Sequence, residues 1–580
     1  MKVVLTTLNA KYVHASLSLR YLEKYCRQEA DEMIVEEYTI NHTMESITAS
    51  LYKTQAAVFA FSCYIWNITM ILEIAQRLKM VNPACVIVLG GPEVSYDADN
   101  LLQKNGFIDY IVMEEGEQTL KELFAHIRNE KSDLSDVLGI AWRKSDKVLV
   151  NTRREVIQTL DDIPSPYTQE DLKKLSDKFI YYETSRGCPF NCSYCLSSTL
   201  EGVRYFSMQR VKKDLRMLIE ANVRLVKFVD RTFNASKQRA MEIFKFLVTH
   251  RKNTSFHFEI AADLLDEDMI TYLKEVPRGL FQFEIGVQSI NPATIEEITR
   301  KMAFDKVADH VKSLRSIGNM HLHLDLIAGL PYEDYQSFAQ SFNAVYELSP
   351  HAIQLGFLKM LKGANIRAKA LQYAYIYTKI PPYEVLKNQW LSYEEMLKIK
   401  GIEDVIEKYH NKGGFEKSLT YIIRYFYPSP FSFFEALAHY FEREGISEVS
   451  HSQKALYDIL FTFYCKSIGK NIAVFGEYLK FDWVYKHKNA VLPKWAYIYT
   501  APLFKEKCFS FLKDKDNIQQ YLQQYKGEAA KKIIKQVHFE MFDIDVLDKI
   551  EKCPKVAKTV ALFDKKTENV WDVTKKFFSF

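Results

Sequence analysis

Short apolar runs alternate with amphipathic stretches along much of the chain, and their spacing predicts its architecture. In residues 1–128 the runs are rich in β-branched and aliphatic residues, which predicts strands at 3–5, 33–38, 57–61, 86–89 and 110–112. Strands that are almost continuously apolar are typical of a parallel sheet that helices cover on both faces. We therefore expect an α/β domain with a doubly wound sheet, of the Rossmann or flavodoxin type.

A second alternating region begins near residue 179. Strands are predicted at 179–183, 225–229, 256–260, 281–285, 321–327 and 352–357, with helices between them. The helix at 207–221 has a suitable N-cap in Ser207 and an apolar stripe along one face. Repeated β-α units of this kind predict an incomplete (β/α)6 barrel of the TIM type over residues 179–365. Its chemistry would lie at the carboxyl ends of the strands.

The two remaining parts of the chain lack this alternation. Residues 129–178 contain a predicted hairpin at 139–151, followed by Ile163-Pro164-Ser165-Pro166, and two prolines so close favour an extended connector. We interpret this segment as a linker. Residues 366–580 have mostly helical patterns with aromatic-rich stretches such as 421–427, which are typical of a packed core. They predict a helical C-terminal domain of unknown role.

Composition and charge restrict the classes to which the chain can belong. A chain of 580 residues, 48% hydrophobic and 26% charged, is typical of a soluble protein with several domains. It has no run approaching the roughly 18 to 20 apolar residues that span a bilayer, and no secretory cleavage site follows its N-terminus. Nine cysteines, of which only three are clustered, favour a reducing compartment. We expect a cytoplasmic protein without a membrane partner, and the net charge of +4 gives little support for a nucleic-acid partner.

The most informative residues are three cysteines in the run Arg186-Gly187-Cys188-Pro-Phe-Asn-Cys192-Ser-Tyr-Cys195. The run follows the first predicted barrel strand, and no fourth Cys or His stands nearby. Structural zinc sites usually have four ligands, and most structural iron–sulfur clusters have four cysteines. Three thiolates in one short loop therefore indicate a four-iron four-sulfur cluster with one iron open to another ligand. The alternatives are three unrelated buried thiols or a zinc knuckle that lacks a ligand.

The spacing Cys-x-x-x-Cys-x-aromatic-Cys, with Tyr194 in the aromatic position, resembles the signature of the radical S-adenosylmethionine (SAM) enzymes. Three later segments, 229–233, 284–289 and 325–331, resemble elements of that family in the expected order. The resemblance implies that Cys188, Cys192 and Cys195 bind the 4Fe-4S cluster, and that SAM binds its open iron. Contacts with SAM are expected from Tyr194, Asp230, Glu284, Gln288, Ser289 and Gly329. Reduction by a low-potential donor of the flavodoxin or ferredoxin type would cleave SAM to a 5′-deoxyadenosyl radical that abstracts hydrogen from a substrate.

Residues 1–128 resemble the cobalamin-binding domain that precedes the barrel in one large subgroup of this family. The similar segments are 9–17, 90–93 and 115–117. The resemblance implies cobalamin contacts from Asn9, His14, Ser62, Gly90, Gly91, Pro92 and Glu93. The Asp-x-His-x-x-Gly motif, which supplies an axial histidine in some cobalamin domains, is missing. His14 is a candidate ligand, although an ordinary structural role for this loop histidine stays open. A flavodoxin-like domain that holds another ligand, or none, also stays open.

Together these two resemblances imply a cobalamin-dependent radical SAM enzyme, with methyl transfer to an unactivated carbon of an unknown substrate as the favoured reaction. Members of the subgroup also catalyse cyclisation, ring contraction and oxygen-independent hydroxylation. Two alternatives stay open: a corrinoid-free radical SAM enzyme, such as a methylthiotransferase, cyclase or lyase, and a non-catalytic module that senses cobalamin or redox state. The helical tail resembles an uncharacterised C-terminal extension of this subgroup. We expect it to close the open side of the barrel and to contact the substrate.

Overall fold

The computed structural model describes residues 1–129, 133–199, 202–487, 491–497, 503–548, 550 and 555–578. Its first domain has strands β1 (Lys2–Asn9), β2 (Glu32–Thr39), β3 (Val58–Ser62), β4 (Val86–Gly90), β5 (Tyr110–Val112), β6 (Ile140–Lys144) and β7 (Lys147–Val150), with helices α1 (Leu17–Cys26), α2 (Met44–Lys53), α3 (Ile68–Val81), α4 (Ala98–Lys104) and α5 (Gly116–Asn129). The strands form one sheet in the order β2-β1-β3-β4-β5-β6-β7. Strands β1 to β5 are parallel, so the predicted doubly wound sheet is confirmed.

Helices cover both faces of this sheet, and alternate residues of β1 enter different cores. Val3 and Leu5 belong to one buried cluster, whereas Val4 and Leu8 belong to the other. Successive side chains of a strand point to opposite faces, so a strand between two helical layers must be apolar at nearly every position.

The predicted hairpin extends this sheet instead of standing apart from it as part of a linker. Strand β6 pairs antiparallel with β5, and β7 pairs antiparallel with β6. Ile140, Ala141 and Trp142 are buried there. Burial of these apolar side chains favours the added strands, whereas alone the two-stranded hairpin would be marginally stable at best.

The barrel begins after helix α6 (Gln169–Lys174). Its strands are β8 (Ile180–Tyr182), β11 (Leu225–Phe228), β12 (Ser255–Ile260), β13 (Phe281–Gln288), β14 (His321–Ala328) and β15 (Ala352–Phe357). A separate antiparallel pair is formed by β9 (Ser185–Gly187) and β10 (Val203–Tyr205). The helices of this region are α7 (Met208–Glu220), α8 (Lys237–His250), α9 (Glu267–Leu273), α10 (Pro292–Glu297), α11 (Phe304–Ile317) and α12 (Tyr335–Glu347). The barrel sheet has the order β15-β14-β13-β12-β11-β8, so the predicted partial barrel is confirmed. In α7, Ser207 caps the N-terminus as predicted, accepting a hydrogen bond from the Arg210 amide at 3.2 Å.

The two faces of the barrel sheet differ in polarity. Phe258, Phe281 and Phe283 pack against Phe244 of α8, which places them on the face that the helices cover. Residues at the alternate positions face the interior of the barrel and are largely polar; among them are Lys227, His257, Glu259, Glu284 and Asp325. The barrel interior is therefore lined by ionisable groups.

Strand β8 lies at one edge of the barrel sheet, and a loop of the first domain continues this edge. The Phe179 amide donates to the Val13 carbonyl at 2.7 Å, and His14 and Phe179 form an isolated parallel bridge. The loop after β1 thus pairs with the chain that enters β8 and covers part of its free edge.

The chain divides into two compact units, Met1–Pro350 with Gln354–Met396, and His351–Ile353 with Leu397–Phe580. The later elements are helices α13 (Asn365–Ala368), α14 (Tyr393–Ile406), α15 (Glu416–Phe426), α16 (Pro430–Arg443), α17 (Gln453–Ser467), α18 (Ile472–Lys486), α19 (Phe504–Lys513), α20 (Lys515–Tyr521), α21 (Ala530–Ile533) and α22 (Thr574–Phe577), and strands β16 (Ile376–Tyr377), β17 (Val385–Lys387), β18 (Val537–Phe542), β19 (Thr559–Asp564) and β20 (Val570–Asp572). The predicted helical character is confirmed, and β18-β19-β20 add an antiparallel sheet that was not predicted.

The core of the second unit contains charged side chains as well as aromatic ones. Lys480 of α18 is buried and lies 3.0 Å from Glu540, and its Nζ donates to the Met541 carbonyl at 2.6 Å. Tyr421 is also buried, as predicted for the aromatic-rich stretch. Among the described residues, no helix is both long and apolar enough to cross a bilayer.

Candidate active site

The cysteine loop starts from the β9–β10 pair, at the carboxyl end of β8. Gly187 opposes Val203 in this pair and has a φ of +100°. A Cβ at Gly187 would overlap the carbonyl oxygen of Gly202, so glycine is required where the loop begins. Cys188, Cys192 and Cys195 follow as free thiols, as the cluster requires.

Two consecutive residues after α10 hold this loop through its backbone. The Ile298 carbonyl accepts a hydrogen bond from the Ser193 amide at 2.9 Å. The Thr299 hydroxyl donates to the Asn191 carbonyl at 2.6 Å. These contacts fix the backbone on both sides of Cys192.

Arg300, the next residue, joins the cysteine loop to strand β13. Its Nη1 lies 3.8 Å from the Cys192 sulfur and 3.2 Å from the Tyr194 hydroxyl, and its Nη2 donates to the Gly286 carbonyl. Burial raises the pKa of the Cys192 thiol, while the positive charge of Arg300 acts in the opposite direction. Arg300 was not predicted, because an arginine shortly after a helix carries no signal until its side chain is placed.

The donor set of the loop fits a four-iron cluster. Cysteine sulfur is the usual ligand of such clusters, and each cysteine binds a different iron. The sulfurs therefore need not converge on one point, and in the part of the chain that the structure describes no group of three His, Cys, Asp or Glu side chains does so. Three cysteines leave one iron of the cluster open.

Polar atoms without protein partners lie at the carboxyl end of β13 and beside it. Gln288 adopts a φ of +72°, and a Cβ on Gly286 would overlap its amide nitrogen. Asp325 stands opposite Gly286 in the neighbouring strand. Gln288 Oε1, Asp325 Oδ1 and Arg300 Nε are all buried, and none has a hydrogen-bond partner among the described residues. Buried polar groups in proteins are normally paired, so these acceptors and this donor fit a ligand that carries amino, hydroxyl and carboxylate groups, as SAM does.

Glu284 lies inside the barrel and is paired. Its Oε2 is 2.8 Å from His257 Nε2 and accepts a hydrogen bond from Lys227 Nζ at 3.2 Å. Burial opposes ionisation, but the His257 and Lys227 contacts lower the pKa of Glu284 to about 2. Glu284 therefore offers a permanent negative charge to the barrel interior.

Two of the predicted SAM contacts are engaged within the protein. Asp230 is buried, and its oxygens accept hydrogen bonds from the Thr184 amide at 2.9 Å, the Thr184 hydroxyl at 2.6 Å and the Ser185 hydroxyl at 2.5 Å. It fixes the end of β8 instead of offering a free carboxylate to an ammonium group. Ser289 is also buried and donates to Glu333 at 2.5 Å.

Gly329 and Glu93 contact the segment that follows the barrel. The Gly329 carbonyl accepts hydrogen bonds from Tyr375 at 2.9 Å and from Asn388 at 3.0 Å. Glu93 is buried, accepts a hydrogen bond from Tyr383 and pairs with Lys362 at 3.1 Å. Glu93, predicted to contact cobalamin, therefore fastens the Gly-Gly-Pro turn to the rest of its unit.

A cavity of about 770 Å³ lies at the carboxyl ends of the first-domain strands. Of the residues predicted to bind cobalamin, its lining contains Asn9, His14, Ser62, Gly90, Gly91 and Pro92. Gly91 has a φ of +106°, and a Cβ there would lie 2.6 Å from the Cys63 carbonyl oxygen. Glycine thus lets the turn pack against the end of β3 and presents its backbone at the cavity wall. A large, mostly apolar cavity with exposed backbone fits a corrin ring.

The barrel also contributes to the lining of this cavity. The lining includes Tyr181, Ser185, Arg186, Gly187, Leu196, Val229 and Arg231. The cysteine loop therefore borders the cavity of the first domain.

His14 is held at the cavity by the barrel. Its Nδ1 is 2.7 Å from the Tyr181 hydroxyl. Burial lowers the pKa of His14, and nearby lysines lower it further, chiefly Lys11 and Lys227. His14 thus lines the cavity and also links two domains, and its role as a cobalamin ligand stays a prediction.

A network of ion pairs fastens the start of the cysteine loop to the first domain. Arg186 pairs with Glu117 at 2.6 Å, with Glu183 at 2.9 Å and with Glu115 at 3.5 Å. Arg204 also pairs with Glu115, at 2.5 Å. Both arginines flank the cysteine loop, so the network sets where the loop stands relative to the cavity.

Comparisons with known protein families match three successive parts of the chain. Residues 3–124 match the B12 binding domain, residues 182–345 match the radical SAM superfamily, and residues 371–563 match a protein family of unknown function, DUF4080. These matches follow the domain order predicted from the sequence.

Curated relatives and solved structures agree with this assignment. An uncharacterised methyltransferase, PH0819, of Pyrococcus horikoshii is 28% identical over 55% of this chain and 70% of its own. The cobalamin-dependent radical SAM methyltransferase TokK of Streptomyces tokunonensis is 26% identical over 51% of this chain but only 45% of its own. The structure of the cobalamin-dependent SAM radical enzyme OxsB with aqua-cobalamin has a TM-score of 0.56 and 16% identity, and covers 83% of this chain and 79% of its own.

The family matches account for the two halves of the site. A B12 binding domain binds cobalamin, and a radical SAM domain binds SAM and a 4Fe-4S cluster, for which the cavity and the three cysteines are suited. The chain therefore carries a B12 binding domain ahead of a radical SAM domain.

Proposed function

We propose that this protein is a cobalamin-dependent radical SAM methyltransferase that methylates an unactivated carbon of its substrate. The observation that carries the proposal is the shared cavity, because Ser185, Arg186 and Leu196 of the cluster region line the same space as Gly90 and Gly91 of the first domain. A substrate between the two walls would lie within reach of both cofactors, which is the arrangement that a transfer between them requires. The methyltransferase names of PH0819 and TokK support the reaction type.

The bound cofactors would supply the one-electron cleavage of SAM and the methyl group, and the protein would position them. We assign Cys188, Cys192 and Cys195 to the cluster, and Tyr194, Glu284, Gln288 and Gly329 to the surroundings of SAM. We assign Asn9, His14, Ser62, Gly90, Gly91 and Pro92 to cobalamin. Asp230, Ser289 and Glu93 are positioning residues, because their side chains are buried and bonded to other residues of the chain.

The reaction also requires a reductant. We propose a low-potential donor of the flavodoxin or ferredoxin type, and a cytoplasmic location, which the free state of the described cysteines supports.

The test is the iron and corrinoid content of anaerobically purified protein from cells supplied with cobalamin, together with 5′-deoxyadenosine formation on reduction. We expect about four irons and one cobalamin per chain. A variant with Cys188, Cys192 and Cys195 all changed to Ala should lose iron and SAM cleavage but keep cobalamin. Cys85→Ala, at the opposite end of the first-domain sheet, is the control and should keep both cofactors.

Two outcomes would contradict the proposal. Iron without cobalamin would favour a corrinoid-free radical SAM enzyme. Both cofactors without any 5′-deoxyadenosine would favour a sensing module.

A further inference from the structure

Arg300 stands where a charge can act on the cluster. Its Nη1 lies 3.8 Å from the Cys192 sulfur, and within the described residues it is the guanidinium that hydrogen-bonds one of the cluster cysteines. The hydrogen bond between the Cys188 sulfur and the Thr232 hydroxyl, at 3.5 Å, is neutral. The contact of the Tyr194 hydroxyl with the Cys192 sulfur is neutral as well.

The position of Arg300 is fixed from several sides. One Nη donates to the Tyr194 hydroxyl at 3.2 Å, and the other donates to the Gly286 carbonyl. The preceding residue, Thr299, is anchored to the Asn191 carbonyl at 2.6 Å. A side chain held at both ends keeps its charge at a constant distance from the sulfur, so its electrostatic effect is not averaged away by motion.

The charge of Arg300 is not neutralised by a close carboxylate. None of the ion pairs within 4 Å in the described residues includes Arg300. The arginines that flank the cysteine loop differ, since Arg186 and Arg204 are paired with Glu115 and its neighbours. Asp263 and Asp325 interact with Arg300 electrostatically, but neither forms an ion pair with it.

We propose that Arg300 raises the reduction potential of the cluster through its positive charge beside Cys192, and so eases the reduction that starts the reaction. This inference rests on the cluster of the proposed function. One-electron reduction adds a negative charge to the cluster, and a cation at a sulfur ligand stabilises the reduced state more than the oxidised state. Hydrogen bonds to sulfur and nearby charge are among the factors that set cluster potentials.

The experiment is a redox titration of the reconstituted cluster, followed by electron paramagnetic resonance, in the full-length wild type, R300Q, R300K and R278Q. Arg300→Gln removes the charge, whereas Arg300→Lys keeps it. Arg278→Gln is the matched control, because it removes one positive charge from an exposed residue before β13, at the end away from the cysteines. Iron content is measured on each variant first, so that failure of cluster assembly is separated from a change in potential.

We expect the ratio of reduced to oxidised cluster at a fixed potential to fall about tenfold in R300Q, which corresponds to about 59 mV for one electron. R300K and R278Q should stay within about twofold of the wild type. The potential is read without turnover, so a wild type with a normal cluster but no methylation would overturn the proposed function and leave this inference intact.

Three results would overturn the inference. The first is an R300Q protein with normal iron and a wild-type potential. The second is loss of iron from both R300Q and R300K, which would make Arg300 a residue that builds the site. The third arises if R300Q alone loses iron, and it is a tenfold fall in the ratio of reduced to oxidised cluster in R300K. In that case a ratio in R300K near that of the wild type would support the charge effect.

Discussion

Glu333 shows how a buried ionisable side chain supports the site without touching it. The residue is fully buried, and its Oε1 accepts hydrogen bonds from Ser289 at 2.5 Å and Ser341 at 3.0 Å. Burial raises the pKa of Glu333 to about 7, although these hydrogen bonds oppose the shift. The folded protein therefore holds this proton at pH values where the unfolded chain, with a pKa of about 4.3, has lost it.

We predict that Glu333→Gln alters the pH dependence of stability. The pKa is raised on folding, so the wild type loses stability as pH rises from about 4.3 to about 7, and the amide does not titrate. Between pH 5 and pH 7 the wild type should lose about 2 kcal/mol relative to the variant, from 1.36 kcal/mol per pKa unit. Urea unfolding at both pH values measures this difference. If the free energies of unfolding of the wild type and the variant differ by the same amount at both pH values, Glu333 is ionised in the folded state.

At the scale of elements, the turn after β4 decides how the cavity wall is built. Gly91 has a left-handed backbone, and a Cβ would lie 2.6 Å from a backbone oxygen, which cannot move away as a flexible side chain could. The turn is also held through Glu93, by Lys362 at 3.1 Å. Its position is therefore fixed from two sides.

We predict that Gly91→Ala lowers the free energy of unfolding by about 1 to 3 kcal/mol, because left-handed strain and the clash add. It should also reduce cobalamin content. Gly106→Ala is the control, since glycine there has open space around the added Cβ and should change stability little. Corrinoid content and urea unfolding measure the two effects. If both variants had the same corrinoid content and the same free energy of unfolding, the turn at Gly91 would not be needed to build the cavity wall.

At the scale of the whole molecule, the ion pairs of Arg186 link the barrel to the first domain. Arg186 and Glu117 have side chains that are 13% and 6% exposed, so their charges are largely removed from water. Removing one member of such a network leaves its partners buried without a counter-charge, which costs more than the pair contributes.

We predict that Arg186→Gln destabilises the protein by about 3 to 5 kcal/mol. Arg153→Gln breaks the exposed pair with Glu114 and should cost about 1 kcal/mol or less. The first unfolding transition in urea distinguishes the two variants. Similar small losses in both would show that the Arg186 network is dispensable for holding the domains together.

The C-terminal expectation remains a prediction. The sequence pattern assigned residues 366–396 to the C-terminal domain, but in the structure they belong to the first unit. Within this segment, Tyr375 and Asn388 donate hydrogen bonds to the Gly329 carbonyl, at the end of a barrel strand. Its hydrogen bonds to distant strands could not be read from local periodicity.

The sequence by itself determined the order of the domains, the strands and helices of both α/β regions, and the cysteine loop. Each of these depends on residues close together in the chain, through periodicity, turn residues or ligand spacing. The tertiary structure decided which polar side chains are available to bind a ligand and which are engaged within the protein. Asp230 and Glu93 match family segments, yet Thr184, Ser185, Tyr383 and Lys362 engage their oxygens. Arg300 likewise reaches Cys192 from 108 positions along the chain, and contacts at that separation follow from packing and leave no local pattern.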